Sequence, residues 1–148
     1  MKQTPAATLR EGLSAYYQAN AAVFSDREAA PEVAEFFRCH DAAHVVFGCD
    51  TSLYGEGILK IFTIFGTTLG FWKHLSAYSE ASAFSLFRQY RITHLARHIL
   101  RLLAYAPRAV LNARRMSQPW PWSDYGRYLD RSIEEIRREF NIQVVSSD

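Results

Sequence analysis

Apolar residues recur at three-to-four spacing along most of this chain, and each such stretch predicts an amphipathic helix. The first opens at Thr8-Leu9-Arg10-Glu11, a hydroxyl at the cap with a Glu three residues on, and is expected to run to about Asn20. After a connector over 21–30, Pro31 suits the first position of a second helix and Glu32 its positive end. At about 100° per residue, Val33, Phe37, His40, His44 and Phe47 fall within an arc of roughly 80°, so two histidines lie on the core-facing stripe. Gly48 is the natural C-terminal cap, and Asp50 or Ser52 can cap a third helix that holds Glu56 and runs toward Gly66.

The stretch 67–85, with Gly70, Trp72, His74 and many Ser and Ala, sets no clear boundary. Phe84 to Tyr105 predicts a strong helix, with Ile92, Leu95, Ala96, Ile99, Leu100 and Leu103 as its apolar face and Arg91, His94, Arg97, His98 and Arg101 opposite. Pro107 should stop it or start its successor. Pro119-Trp120-Pro121-Trp122 is an extended break, after which Ser123 or Asp124 caps a last helix striped by Leu129, Ile133, Ile136 and Phe140 and supported by Glu134 and Arg138. Only Ile142-Gln143-Val144-Val145 alternates as a short strand would. The expected fold is all-α, a single-domain helical bundle of roughly six to seven helices spanning 1–148, with residues 1–7 disordered.

Composition narrows this further. A chain of 148 residues with 49% hydrophobic and 22% charged residues can bury one real core. Cys39 and Cys49 lack the spacing of a redox or zinc pair, which points to free thiols in a reducing compartment. Met1 to Pro5 has no signal-peptide character, so a bacterial cytoplasmic protein is expected. The most apolar run, Ile58 to Trp72, is too short to span a bilayer and carries Lys60. Charge is uneven: the block from Ala81 to Ser123 has seven arginines and no acid, which against a net +2 leaves −5 for the rest. Such a block suits anionic lipid or phosphate, or else a solvated face balanced by the acidic remainder. With overall charge near neutral and no reader motif, nucleic acid is not an expected partner.

The stretch with chemistry is Cys39-His40-Asp41-Ala42-Ala43-His44, followed by Gly55-Glu56-Gly57. On a helix His40, Asp41 and His44 can project toward one point, and Glu56 can arrive from the next segment as a fourth, hard oxygen ligand. A single inward histidine is more often a hydrogen-bonded core residue than a ligand. Two of them with a carboxylate on one stripe are costly to bury unless a cation compensates them. A zincin would need Glu where Asp41 stands, and an HD phosphohydrolase needs a histidine upstream of His40, which this chain lacks. His94 and His98 repeat the spacing but sit among Arg91, Arg97 and Arg101, whose charge suits an anion, so Arg91, His94, His98 and Arg101 form a candidate head-group site.

His40-Asp41-x-x-His44, eleven residues and then Glu56 resembles the H-D-x-x-H-x11-E signature of the Coq-four family of ubiquinone (coenzyme Q) biosynthesis proteins. The likeness is strongest from Pro31 to Gly66, and the chain is shorter than a full member of that family is expected to be. The resemblance implies a divalent metal (Zn, Fe, Co, Mn or Mg) on His40, Asp41, His44 and Glu56, the residues that would also carry the catalysis. It implies a polyprenylated quinone precursor as substrate, with C1 oxidative decarboxylation of its ring, so that the protein would be an enzyme. The alternative is a non-catalytic prenyl-lipid-binding scaffold that organises a quinone-biosynthesis complex. The lipid would need an apolar channel, for which Phe37, Phe47, Ile61, Phe62 and Phe65 are candidates. Implied partners are other quinone-biosynthesis proteins and the anionic inner face of the cell membrane, where the protein would be peripheral. A homodimer is among the forms kept open.

Overall fold

The computed structural model describes residues 7–21, 31–70 and 92–145. Within them the chain is all-α, with helices α1 (Leu9–Ala19), α2 (Pro31–Phe47), α3 (Leu53–Gly66), α4 (Ile92–Arg114) and α5 (Ile133–Glu139), and a 3-10 helix at Trp122–Tyr128 between α4 and α5.

α1 begins on the expected capping box: Glu11 N–H donates to the Thr8 hydroxyl and Thr8 N–H to the Glu11 carboxylate. Its next free donors are met from far along the chain. Leu9 N–H reaches the Arg131 carbonyl at 2.9 Å and Arg10 N–H the Leu129 carbonyl at 2.8 Å. Ala7, expected to be disordered, already accepts a hydrogen bond from Ile133 N–H at 2.9 Å. The start of α1 is thereby tied to the start of α5.

α2 and α3 follow the sequence closely. α2 starts at Pro31 and ends at Gly48, whose φ of +68° needs a residue without Cβ. α3 is capped by Ser52, whose hydroxyl accepts from Gly55 N–H. One apolar core gathers Leu9 and Leu13 of α1, Val45, Val46 and Phe47 of α2, Ile58, Leu59 and Phe62 of α3, and Ile133, Ile136 and Phe140 from the C-terminal end.

The C-terminal half departs from expectation in three places. α4 continues through the exposed Pro107 to Arg114, so the proline does not end the helix. The last helix does not begin at Ser123 or Asp124. A 3-10 segment comes first, and Ser132, held by its bridge to Thr8, is the N-cap of α5. The stripe of Ile133, Ile136 and Phe140 is nevertheless buried as expected. Residues 142–145 form no strand: Ile142 and Val145 enter the core, and the Gln143 carbonyl accepts from Asn112 at 3.2 Å.

The packing face of α4 is also reversed. Leu102, Tyr105, Ala109 and Ala113 turn inward, whereas Ile99, Leu100 and Leu103 lie 45%, 68% and 64% exposed. Small residues decide this. A Cβ on Gly57 would stand 2.7 Å from Leu102, so α3 and α4 approach more closely than a leucine-rich seam allows.

Candidate metal centre

Helical phase and one loop assemble the centre. His40 and His44 stand one turn apart on the buried face of α2, and Glu56 lies in the first turn of α3 after the loop 48–52. Gly55 keeps that loop tight, because a Cβ there would collide with the side chain and carbonyl of Asp50. Nε2 of His44 is 3.1 Å from Oε1 of Glu56, and Nε2 of His40 is 3.5 Å from Oε2. One donor atom from each of the three residues lies within 4.8 Å of the others. The His44 side chain is wholly buried and that of His40 nearly so, while Glu56 is 26% exposed and marks the open side.

Asp41, expected as a fourth ligand, stands apart from this group. It is buried 100° around the helix from His40, and its Oδ1 approaches the other ring nitrogen, Nδ1, at 3.8 Å. Burial opposes charging His40, but the Asp41 and Glu56 carboxylates beside it prevail and raise its pKa. Burial would likewise lift Glu56, yet the hydrogen bonds and charge of the two histidines hold its carboxyl well below the usual range.

Three neighbours that carry no motif letter fix the rings. Tyr16 of α1 stacks on His44 with centroids 5.2 Å apart, and Phe36, backed by Trp122, stacks beside His40. The third is a backbone group: Nδ1 of His44 donates to the Cys49 carbonyl at 3.1 Å. A stack or a carbonyl contact leaves no mark in the one-letter sequence, and only the Gly48-Cys49 turn hinted at it.

The hydrogen-bond count at this edge favours a cation. Since a carbonyl only accepts, the hydrogen of His44 is committed to Nδ1, and a neutral ring then turns a lone pair toward the lone pairs of Glu56. Either a proton or a metal ion must occupy that edge. The outer nitrogen of His40, Nδ1, is buried with the Asp41 carboxylate 3.8 Å away, which leaves Nε2 as the nitrogen directed at Glu56. Two imidazoles and one carboxylate are the ligand set of open, catalytic divalent-metal sites, which retain a position for water or substrate.

The other expected site residues are described only in part. Arg91 is outside the described residues, as is the side chain of His94 on α4. His98 is half-buried, and the Arg101 guanidinium lies 5.0 Å over the ring of Tyr54. The expected lipid lining is dispersed: Phe47 and Phe62 stack on each other inside the core at 4.7 Å, while Phe65 is 47% exposed. A cavity of about 250 Å³ sits instead between the end of α1 and the loop after α2, lined by Tyr16, Asn20, His44, Asp50 and Thr51. Cys39 and Cys49 are free thiols, and burial pushes each up to about 12, so neither is a ready thiolate.

The family model for the coenzyme Q (ubiquinone) biosynthesis protein Coq4 matches residues 9–146, nearly the whole chain. The chain belongs to this family. Searches of curated proteins and of solved structures returned no match. Membership makes the chain a ubiquinone-biosynthesis protein.

Proposed function

We propose that this protein binds one divalent cation through His40, His44 and Glu56 and acts on a polyprenylated quinone precursor: the C1 carboxylate leaves as carbon dioxide, a hydroxyl from water takes its place, and dioxygen, the co-substrate, accepts the two electrons and becomes hydrogen peroxide. The observation that carries the reading is the convergence of two imidazoles and a carboxylate on one largely buried point, spaced as the donors of a single ion would be. A bound metal would act there as a Lewis acid toward the carboxylate or phenolic oxygens of the ring. The residues supply the rest. Tyr16 and the Cys49 carbonyl hold His44, the carboxylate of Asp41 orients His40 from behind, and the exposed edge of Glu56 is where a ring would enter. The test is loss of carbon dioxide from a carboxylated prenyl-phenol on addition of metal-replete protein. Release by wild type but not by a His44→Ala variant supports the reading, and equal background release refutes it.

A second reading, the prenyl-lipid-binding scaffold at the membrane, draws on α4. No helix among the described residues is long and apolar enough to cross a membrane. The outward face of α4 joins exposed Ile99, Leu100, Leu103 and Leu111 to exposed Arg97, Arg108 and Arg114, with no acidic residue in the helix. Apolar side chains beside arginines suit the head-group boundary of an anionic leaflet. On this reading the protein sits at the inner face of the cell membrane, where its substrate and other quinone-biosynthesis proteins are, and either role is compatible with that position.

A further inference from the structure

Arg137 lies on α5, 91 residues beyond Val46, yet its side chain ends on the helix that carries His40 and His44. Its Nε donates to the Val46 carbonyl at 2.8 Å and its Nη2 to the Val45 carbonyl at 2.9 Å. These are two of the four carbonyls that the end of α2 leaves without an intrahelical donor. A third, that of His44, accepts from Cys49 N–H at 3.0 Å across the left-handed Gly48, as in a Schellman turn. The guanidinium fork is flat and fixed, so it sets the two carbonyls relative to each other, and its charge favours the negative end of the helix. Gly48 is needed twice here: besides its φ, a Cβ would stand 3.1 Å from Nη2 of Arg137.

The turn that Arg137 clamps also presents the Cys49 carbonyl to Nδ1 of His44. His44 therefore bonds into the turn by both its backbone and its ring, and its Nε2 is aimed at Glu56 as a result. We propose that Arg137 is a positioning residue of the metal centre: by clamping the C-terminal turn of α2 it fixes the Cys49 carbonyl, and through it the tautomer and orientation of His44. This rests on the metal-binding reading above. It assigns to α5 a task that packing alone does not require, because Ile133, Ile136 and Phe140 already anchor that helix in the core.

The test uses Zn²⁺ alone, titrated against a competing chelator, on the full chain and on Arg137→Met, Arg137→Lys and the exposed control Arg138→Met. Wild type and the control should bind one ion with equal affinity, Arg137→Met should bind about 10- to 100-fold more weakly, and Arg137→Lys, which keeps the charge and reaches one carbonyl, should fall between them. Imidazole nitrogen NMR on the Zn²⁺-loaded proteins adds a readout that a purely structural role would not move. The Nδ1 proton of His44 should be slow to exchange in wild type and the control, and fast in Arg137→Met at a temperature where circular dichroism shows the helices intact. Unchanged affinity and an unchanged Nδ1 proton in folded Arg137→Met overturn the proposal while leaving the metal reading standing. Should both Arg137 variants unfold, wild type decides: ligation through Nδ1, with the proton on Nε2, overturns it. A wild type that takes up no Zn²⁺ refutes the metal reading and this proposal together.

Discussion

At the scale of single residues, the centre sorts its four motif letters into two kinds. His40, His44 and Glu56 offer donors to one point, whereas Asp41 addresses the outer nitrogen of His40. Removing a ligand and loosening a ligand should therefore differ in degree. His44→Ala and Glu56→Ala are expected to abolish stoichiometric metal uptake with helix content intact, while Asp41→Asn weakens affinity by about 10- to 100-fold and leaves the stoichiometry at one. Competitive chelator titration with circular dichroism on the same samples separates the two; loss of all uptake in Asp41→Asn would make it a ligand after all. The spacing of His40 and His44 was legible because helical phase alone turns them to one face. The placement of Asp41 beside the outer nitrogen of His40 was not, since a residue 100° round the helix is in reach of the site or out of it according to a rotamer that spacing does not encode.

Elements with a local origin followed the sequence. Thr8 and Glu11, Gly48, and Ser52 each end or begin a helix where their own chemistry places them. The C-terminal elements did not, because Ser132 becomes a cap only through the bridge to Thr8, a contact across the molecule. Three predictions belong here. Thr8→Ala should cost about 1 kcal/mol in urea unfolding, the ordinary loss for a helix cap. Backbone and side-chain hydrogen bonds from Thr8 lower the pKa of exposed Glu11, so its contribution is present above the ordinary Glu range and is lost as pH falls through the lowered folded value. The stability gap between wild type and Glu11→Gln should accordingly close in acid; a gap that widened there would contradict the assigned hydrogen bonds. At the other helix start, Gly55→Ala should disturb the Asp50 loop and carry Glu56 with it, reducing metal uptake more than Gly126→Ala, where a Cβ meets nothing within 4 Å.

Over the whole molecule, the packing of α4 decides which surface faces out. Its leucine-rich stripe reads as core in the sequence, yet the close approach of Gly57 to Leu102 and the small Ala109 and Ala113 turn the opposite side inward. Periodicity located the amphipathic helix but not its partner, since both of its faces carry apolar residues. If the outward face meets an anionic leaflet, Leu100→Ser with Leu103→Ser should reduce sedimentation with anionic liposomes and leave metal uptake unchanged. Binding of wild type should also fall as salt is raised, and binding equal in the double variant would return this face to another role.

The central claim is that two histidines of α2 and one glutamate of α3 hold a single divalent ion. X-ray absorption at the metal edge of the Zn²⁺-loaded protein tests it most directly, because imidazole rings scatter with a recognisable multiple-scattering pattern. The expected shell has two imidazole nitrogens and at least one carboxylate oxygen at about 2.0–2.2 Å, falling to one imidazole in His40→Ala. A wild-type shell of oxygens alone, or one imidazole with no change in His40→Ala, would contradict the account.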